Sequence, residues 1–162
     1  MKKIERDENY QTLVYNILNK EEFQKVKQER HHGIDRYTHS LDVSYKTYKI
    51  AKALKLDYKA AARAGLLHDF FIKEDIEHIS FPLLKHPKIA ADKSRKHFNV
   101  SEMEYDLIET HMFPRTIKPP RHIEGWILIV VDTYVSGYET LRRIVFNAPL
   151  VANVFIAFLL SI

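Results

Sequence analysis

The stretch RAGLLHDFFIKED, residues 63–75, places a histidine and an aspartate side by side directly after an apolar helical run. A polar side chain set against a core costs free energy unless it is hydrogen-bonded, paired with an opposite charge or bound to a metal. His68 and Asp69 therefore need partners from elsewhere in the chain. The imidazole has space around it, because small residues share one face of the predicted helix: Ala61, Ala64 and Gly65.

The composition indicates an ordinary soluble domain. A length of 162 residues suits one unit, 1–162, with a proper hydrophobic core. A hydrophobic share of 46% and a charged share of 28% are typical of globular proteins. Cysteine is absent, which excludes disulfides and thiolate zinc sites and favours a cytoplasmic location. We expect no signal peptide, because no apolar stretch follows the basic N-terminus.

Charge and hydropathy limit the classes of partner. The net charge of +4 is spread along the chain, without the dense basic stripe expected of a nucleic-acid-binding face. A small anionic ligand is compatible with this charge. The apolar segment 147–162 is shorter than the roughly 20 residues that a transmembrane helix needs. We therefore expect a C-terminal packing helix, or a truncated end, rather than a membrane anchor.

The spacing of apolar residues predicts an all-α fold. Only four glycines and six prolines interrupt the chain, and apolar residues recur every three or four positions between them. Helices are expected within residues 8–29, 36–55, 58–70, 87–98, 101–111 and 122–146, followed by the C-terminal helix 147–162. Residues 74–85, with one short turn, and 115–121 are expected to be loops.

Three local signals set the expected helix starts. Asp57 is a predicted N-cap for the third helix, because its carboxylate can accept backbone N–H groups of the first turn. Pro87 is expected at the first position of its helix, where a missing N–H costs nothing. Ser101 and Glu104 have the spacing of a capping box.

Six side chains lie on apolar faces or at helix ends of this predicted frame: His39, His68, Asp69, His86, His111 and Asp132. Taken singly, most have an ordinary structural explanation. Asp132 is harder to explain, because it interrupts WILIVVDTYV, the most apolar run in the body of the chain. Imidazole nitrogen and carboxylate oxygen together suit transition metals. Neighbours on a helix point about 100° apart, so His68 and Asp69 can share one ion while Asp69 reaches another.

Five motifs carry these residues in order: RYTHSLDV, AGLLHDFF, KHPKIAADKS, ETHMFP and ILIVVDTYV. This order on predicted helices resembles the HD-domain metal-dependent phosphohydrolase superfamily, over roughly residues 30–140. The resemblance implies a compact helical bundle. His86 and His111, between the HD pair and the last aspartate, resemble the ligands of the binuclear branch of the superfamily.

The resemblance implies two divalent metal ions. One would be held by a set that includes the HD pair: His39, His68, Asp69 and Asp132. Asp69 would bridge to a second ion, held by His86 and His111, which makes His68 and Asp69 the candidate catalytic residues. Iron, manganese, cobalt, nickel and zinc are the candidate metals, with magnesium as a further candidate.

The implied reaction is hydrolysis of a phosphate mono- or diester by a metal-activated water. The expected substrate is a nucleotide or another small phosphorylated metabolite. Basic residues that flank the metal motifs or the site loops are candidate substrate contacts: Arg36, Lys73, Arg115, Lys118 and Arg121. Many relatives have a lysine three residues after the aspartate, whereas this chain has Ile72 there. A phosphate contact by Lys73 therefore departs from the family pattern.

Two other functions stay open. Some binuclear HD proteins are described as mixed-valent di-iron oxygenases, and their ligand pattern resembles this one. A non-catalytic module that binds metal or nucleotide is the other alternative, although the presence of all six candidate ligands argues against a degenerate site. The remaining histidines lie in linkers or on polar faces and receive no role: His31, His32, His78, His97 and His122. The adjacent pair His31 and His32 could border the pocket.

Overall fold

The computed structural model describes residues 4–28, 30–31 and 34–160, with the side chains of residues 4–27, 35–82 and 84–146. Its α-helices in chain order are α1 (Glu8–Leu18), α2 (Glu21–Gln24), α3 (Arg36–Ala53), α4 (Tyr58–Leu67), α5 (Lys73–Ile76), α6 (Pro82–His97), α7 (Glu102–Thr110) and α8 (Ile123–Leu160). The predicted all-α fold is confirmed. A 3₁₀ turn, Lys25–Gln28, follows α2.

The linker before α3 contains a short antiparallel ladder that the sequence analysis did not predict. Strands β1 (Arg30–His31) and β2 (Ile34–Asp35) form it, with Arg30 opposite Asp35 and His31 opposite Ile34. The prediction that His31 and His32 border the pocket stays untested, because His32 lies outside the described residues.

The predicted caps of two helices are confirmed. The Asp57 carboxylate accepts the backbone N–H groups of Lys59 and Ala60 at 3.1 and 2.9 Å, at the start of α4. At the start of α7, the Ser101 hydroxyl accepts the N–H of Glu104, whose carboxylate accepts the N–H of Ser101 at 2.6 Å. These bonds satisfy N–H groups that have no partner within the helix.

Several predicted boundaries were wrong. The first helical segment is broken after Leu18, and α4 ends at Leu67, so His68 and Asp69 lie in the turn that follows it. Helix α6 begins five residues earlier than predicted, because Pro82 rather than Pro87 takes the first position. Pro87 lies inside α6, at the loss of one backbone hydrogen bond. The predicted loop 74–85 accordingly contains most of α5 and the first turn of α6.

The C-terminal part of the chain also differs from the prediction. Residues 122–146 and 147–162 were expected to form two helices, whereas α8 continues unbroken from Ile123 to Leu160. Pro149 lies within α8 without ending it, at the loss of one backbone hydrogen bond. No helix among the described residues combines the length and apolarity needed to cross a membrane.

Helices α3, α4 and α8 pack closely against one another. This packing positions the candidate ligands that lie in these helices or follow them directly. The closest approach is at Gly65 of α4, where an added Cβ would lie 2.9 Å from Cα of Ser44 in α3. The interior around these helices is apolar, and its largest fully buried side chains include Tyr10, Phe23, Tyr48, Leu66, Leu67, Phe70, Leu107, Ile108 and Leu128.

Candidate metal centre

Five helices or helix ends bring the six candidate ligands together. His39 lies in the first turn of α3, and the HD pair follows α4 directly. His86 lies in α6, His111 caps the C-terminus of α7, and Asp132 lies in α8. All are buried except Asp132, whose side chain is 16% exposed. The residues therefore meet at one buried centre, although they are far apart in the sequence.

One half of the centre is built around Asp132. Its Oδ1 lies 3.1 Å from Nε2 of His39 and 3.6 Å from Nε2 of His68. Asp69 completes this half, with Oδ2 at 3.8 Å from Nε2 of His68. Ligand atoms of His39, His68 and Asp69 all lie within 4.8 Å of one another, so this group could hold a metal ion.

The other half is built on the second oxygen of Asp69. Its Oδ1 lies 3.3 Å from Nε2 of His86 and 3.7 Å from Nε2 of His111. The two Nε2 atoms are 3.1 Å apart. The two oxygens of Asp69 thus face different histidines: Oδ2 faces His68, and Oδ1 faces His86 and His111. This arrangement is the one expected of a bridging carboxylate.

Hydrogen bonds at Nδ1 fix the orientation of three imidazoles. Nδ1–H of His68 donates to the Gly65 carbonyl at 2.8 Å, and Nδ1–H of His111 donates to the Ile108 carbonyl at 2.7 Å. Nδ1 of His39 lies 3.0 Å from Oε2 of Glu139, a carboxylate that can only accept when ionised. In each ring the remaining Nε2 points into the centre, where it can bind a metal once it carries no proton.

The donor set fits a transition metal on two observations. Nε2 of His68 is fully buried and has no hydrogen-bond partner among the described residues, a costly arrangement that a bound cation would relieve. Ligands bound at about 2.1 Å lie about 3.0–3.4 Å apart in octahedral or tetrahedral geometry. The closest donor pairs of the centre are separated by 3.1–3.3 Å.

Comparison with known proteins agrees with this geometry. The family model described as HD domain matches residues 36–137, a span that includes every candidate ligand. The chain belongs to the HD domain family. No curated protein and no solved structure matches it.

Electrostatics in this HD domain keep the carboxylates ionised. Burial alone would raise the pKa of Asp69, but His68 and His86 outweigh burial and hold that pKa well below its usual range. Burial would likewise raise the pKa of Asp132, but the hydrogen bond to His39 and the nearby imidazole of His68 lower it. Both carboxylates therefore present anionic oxygens to a cation across the physiological range.

The histidines are shifted in opposite directions. Burial alone would lower the pKa of His39, but hydrogen bonds to Asp132 and Glu139 raise it to about 10. The pKa of His111 falls to about 4, because it is buried and lies beside His68. His111 is therefore neutral at pH 7, whereas a metal must displace a proton from His39.

A cleft of about 930 Å³ opens onto this centre. It lies between residues 112–115 and one face of α8. Four candidate ligands line it: Asp69, His86, His111 and Asp132. A ligand in the cleft would therefore reach both halves of the centre.

Two of the predicted substrate contacts, Arg36 and Lys73, do not line the cleft. Arg36 is buried, stacks on the Phe71 ring at 3.9 Å and donates to the Phe71 carbonyl at 2.6 Å. Lys73 begins α5 and is exposed. The structure gives Arg36 a role in anchoring the turn after the HD pair. Substrate contact by Arg36 or Lys73 stays a prediction.

The three basic residues after α7 differ in their ion-pair partners and in their access to the cleft. Lys118 and Arg121 both pair with Asp106, Arg121 at 2.8 Å and Lys118 at 3.6 Å. Lys118 also pairs with Glu109. Arg115 alone of the three lines the cleft. Arg115 is therefore the predicted substrate contact that the cleft geometry favours, and the other four stay predictions.

Sequence reasoning missed two residues that support the centre. Glu139 accepts from His39, and the Ser136 hydroxyl donates to Oδ1 of Asp132 at 3.3 Å. Both follow Asp132 on α8, at four and seven positions, which places them on nearly the same face. A search for polar residues at this spacing after Asp132 would have found them.

Proposed function

We propose that this protein is a metal-dependent phosphohydrolase that cleaves a phosphate mono- or diester of a small metabolite, a nucleotide being one candidate. The proposal is carried by Asp69, whose two oxygens face the two separate histidine groups. A carboxylate in that position would hold two ions side by side. Family membership supports the same chemistry, because the matched region contains all six donors.

The residues have distinct roles in this proposal. His39, His68 and Asp132 would hold one ion, and His86 and His111 the other, with Asp69 shared between them. Two such ions activate water as a nucleophile and stabilise charge on the attacking and leaving oxygens of a phosphoryl group. The buried side chains fix the ligand positions, and the backbone carbonyls of Gly65 and Ile108 hold the His68 and His111 rings in place. Arg115 would contact the phosphate from the cleft wall.

The experiment is a screen of phosphoesters against protein loaded with manganese, iron, cobalt, nickel, zinc or magnesium, with metal content measured on each preparation. Asp69→Ala should abolish phosphate release while circular dichroism stays helical. Replacing His86 and His111 with alanine should remove about half of the bound metal and most of the activity. His78 and His122, both exposed, provide the matched double-alanine control. Unchanged metal content and turnover in the His86/His111 variant would refute the second ion.

The oxygenase alternative has one observation in its favour, since four imidazoles and two carboxylates also suit a pair of iron ions. Iron-loaded protein distinguishes the two reactions. Phosphate release under strict anaerobiosis supports the hydrolase. Substrate loss that requires dioxygen, without phosphate release, supports the oxygenase. Metal binding without either reaction would support the regulatory module.

A further inference from the structure

The shape of the cleft limits what can extend away from the metal centre. One wall is a single face of α8 that begins at Ile129 and Asp132 and continues through Ser136 to Ile144. At 1.5 Å per residue, the distance from Asp132 to Ile144 along the helix is about 18 Å. The cleft is therefore long enough for a phosphoryl group at the centre and an organic group beyond it.

Positive charge in the cleft is scarce. Apart from the histidines of the centre, Arg115 is the one basic side chain among the described residues that line it. Arg115 forms no salt bridge with any other residue in the described part of the chain, so its guanidinium is available to an anion. Lys118 and Arg121 are held by Asp106 and do not line the cleft.

Apart from Arg115, the described residues that line the cleft away from the centre carry no charge. On the α8 side they present hydroxyl groups and small surfaces at Thr133, Ser136 and Gly137, then apolar side chains at Leu141 and Ile144. Leu141 and Ile144 are 59% and 61% exposed, and covering such surface with an apolar ligand group is favourable. The opposite wall includes Met112 and Phe113. This surface suits an uncharged, largely apolar organic group.

We propose that the substrate carries a single phosphoryl group on an uncharged, largely apolar organic group, and that the cleft selects against polyphosphates. This inference rests on the proposed phosphohydrolase function. One phosphoryl group can be matched by the metal centre and Arg115. Every additional phosphate would bring negative charge into a region whose described walls offer no further cation, and an unpaired charge removed from water is costly.

The first test varies one part of the substrate at a time with the metal-loaded protein. Adenosine 5′-mono-, di- and triphosphate keep the organic group constant, and kcat/KM should fall at least tenfold from the mono- to the triphosphate. Methyl and hexyl phosphate keep the phosphate constant. Each buried methylene contributes about fourfold in affinity, so hexyl phosphate should have a KM at least about tenfold lower.

Variants of the cleft supply the second test. Gly137 lines the cleft, and a Cβ there would meet no heavy atom within 4 Å, so Gly137→Phe starts a bulky side chain from an open position on the cleft wall. It should reduce kcat/KM for hexyl phosphate at least tenfold more than for methyl phosphate, with metal content unchanged. Tyr138, the exposed neighbour that does not line the cleft, provides the control Tyr138→Ala, which should behave as the parent protein.

Arg115→Gln should raise the KM of both alkyl phosphates about tenfold, and Arg115→Lys should restore part of the loss. A triphosphate cleaved as well as the monophosphate, or an equal effect of Gly137→Phe on both alkyl esters, would overturn the substrate inference and leave the hydrolase in place. If no phosphoester is cleaved with any metal, the proposed function fails, and the substrate inference fails with it.

Discussion

Replacing Gly65 with alanine tests whether the close contact between α3 and α4 positions the metal centre. Alanine in a helix is normally about 1 kcal/mol more favourable than glycine. Here the added Cβ would lie 2.9 Å from Cα and 3.3 Å from N of Ser44, and these backbone atoms cannot rotate away. Overpacking of this kind costs about 1–3 kcal/mol, and the short distance to backbone favours the upper part of that range. We therefore expect Gly65→Ala to lower the free energy of unfolding by about 1–2 kcal/mol.

The same substitution should weaken metal binding, because the Gly65 carbonyl accepts the Nδ1–H of His68. Moving α4 away from α3 would shift that carbonyl and the ring that it orients. Loss of such an outer contact typically reduces metal affinity about 10- to 100-fold. Competition with a chromogenic chelator measures the affinity, and urea unfolding measures stability, on the same preparation.

Gly137→Ala is the matched control. Gly137 also lies in a helix, but a Cβ there has no neighbour within 4 Å, so the helix preference of alanine should stabilise the protein by up to about 1 kcal/mol. Both substitutions replace glycine with alanine, but they should change the free energy of unfolding in opposite directions. If Gly65→Ala stabilises the protein as much as Gly137→Ala and leaves metal affinity unchanged, the reasoning about the α3–α4 contact is wrong.

Three further predictions concern the centre itself. Glu139→Gln, which removes the carboxylate that accepts from His39, should weaken metal binding about 10- to 100-fold without loss of helicity, whereas exposed Glu102→Gln should not. Metal affinity should rise about tenfold per pH unit from pH 6 to 8, because the metal must displace the proton of His39. Hydrogen bonds that outweigh burial raise the pKa of His39 to about 10, so the proton is present over this whole range. An affinity independent of pH would contradict this prediction. Chelation should lower Tm by about 10 °C relative to protein at a thousandfold excess of free metal over Kd, as calorimetry would measure.

The parts of the fold that were predictable depend on local chemistry. A carboxylate at Asp57 and the Ser101–Glu104 pair satisfy N–H groups within their own first turns, so neighbouring residues in the sequence suffice to find them. The start of α6 was not predictable in this way. Pro82 and Pro87 both suit a first helical position, and the residues near them do not specify which of the two begins the helix.

The HD pair and Asp132 stood out because a charged or imidazole group beside or within an apolar run requires a partner. The full ligand set was implied by the resemblance to the HD-domain superfamily. The substrate contacts had no comparable signal. Lys118 and Arg121 are as basic as Arg115, and their separation from the cleft depends on Asp106, which is buried in α7 and pairs with both. An ion pair between a helix and a following loop depends on how the chain folds back, which the spacing of residues does not specify.

Glu139 shows why the residues that orient the ligands are harder to predict from the sequence than the ligands themselves. Its partner His39 is 100 residues away in sequence and on another helix, so only the packing of α8 against α3 reveals the contact. Asp132, Ser136 and Glu139 share one rigid helix, and all three lie on the side that faces the centre. A displacement of α8 would therefore move a candidate ligand, its hydroxyl partner and the carboxylate behind His39 together. The affinity of the centre for metal is consequently coupled to the docking of α8 on α3, and substitutions between these helices should change metal binding even where they contact no ligand.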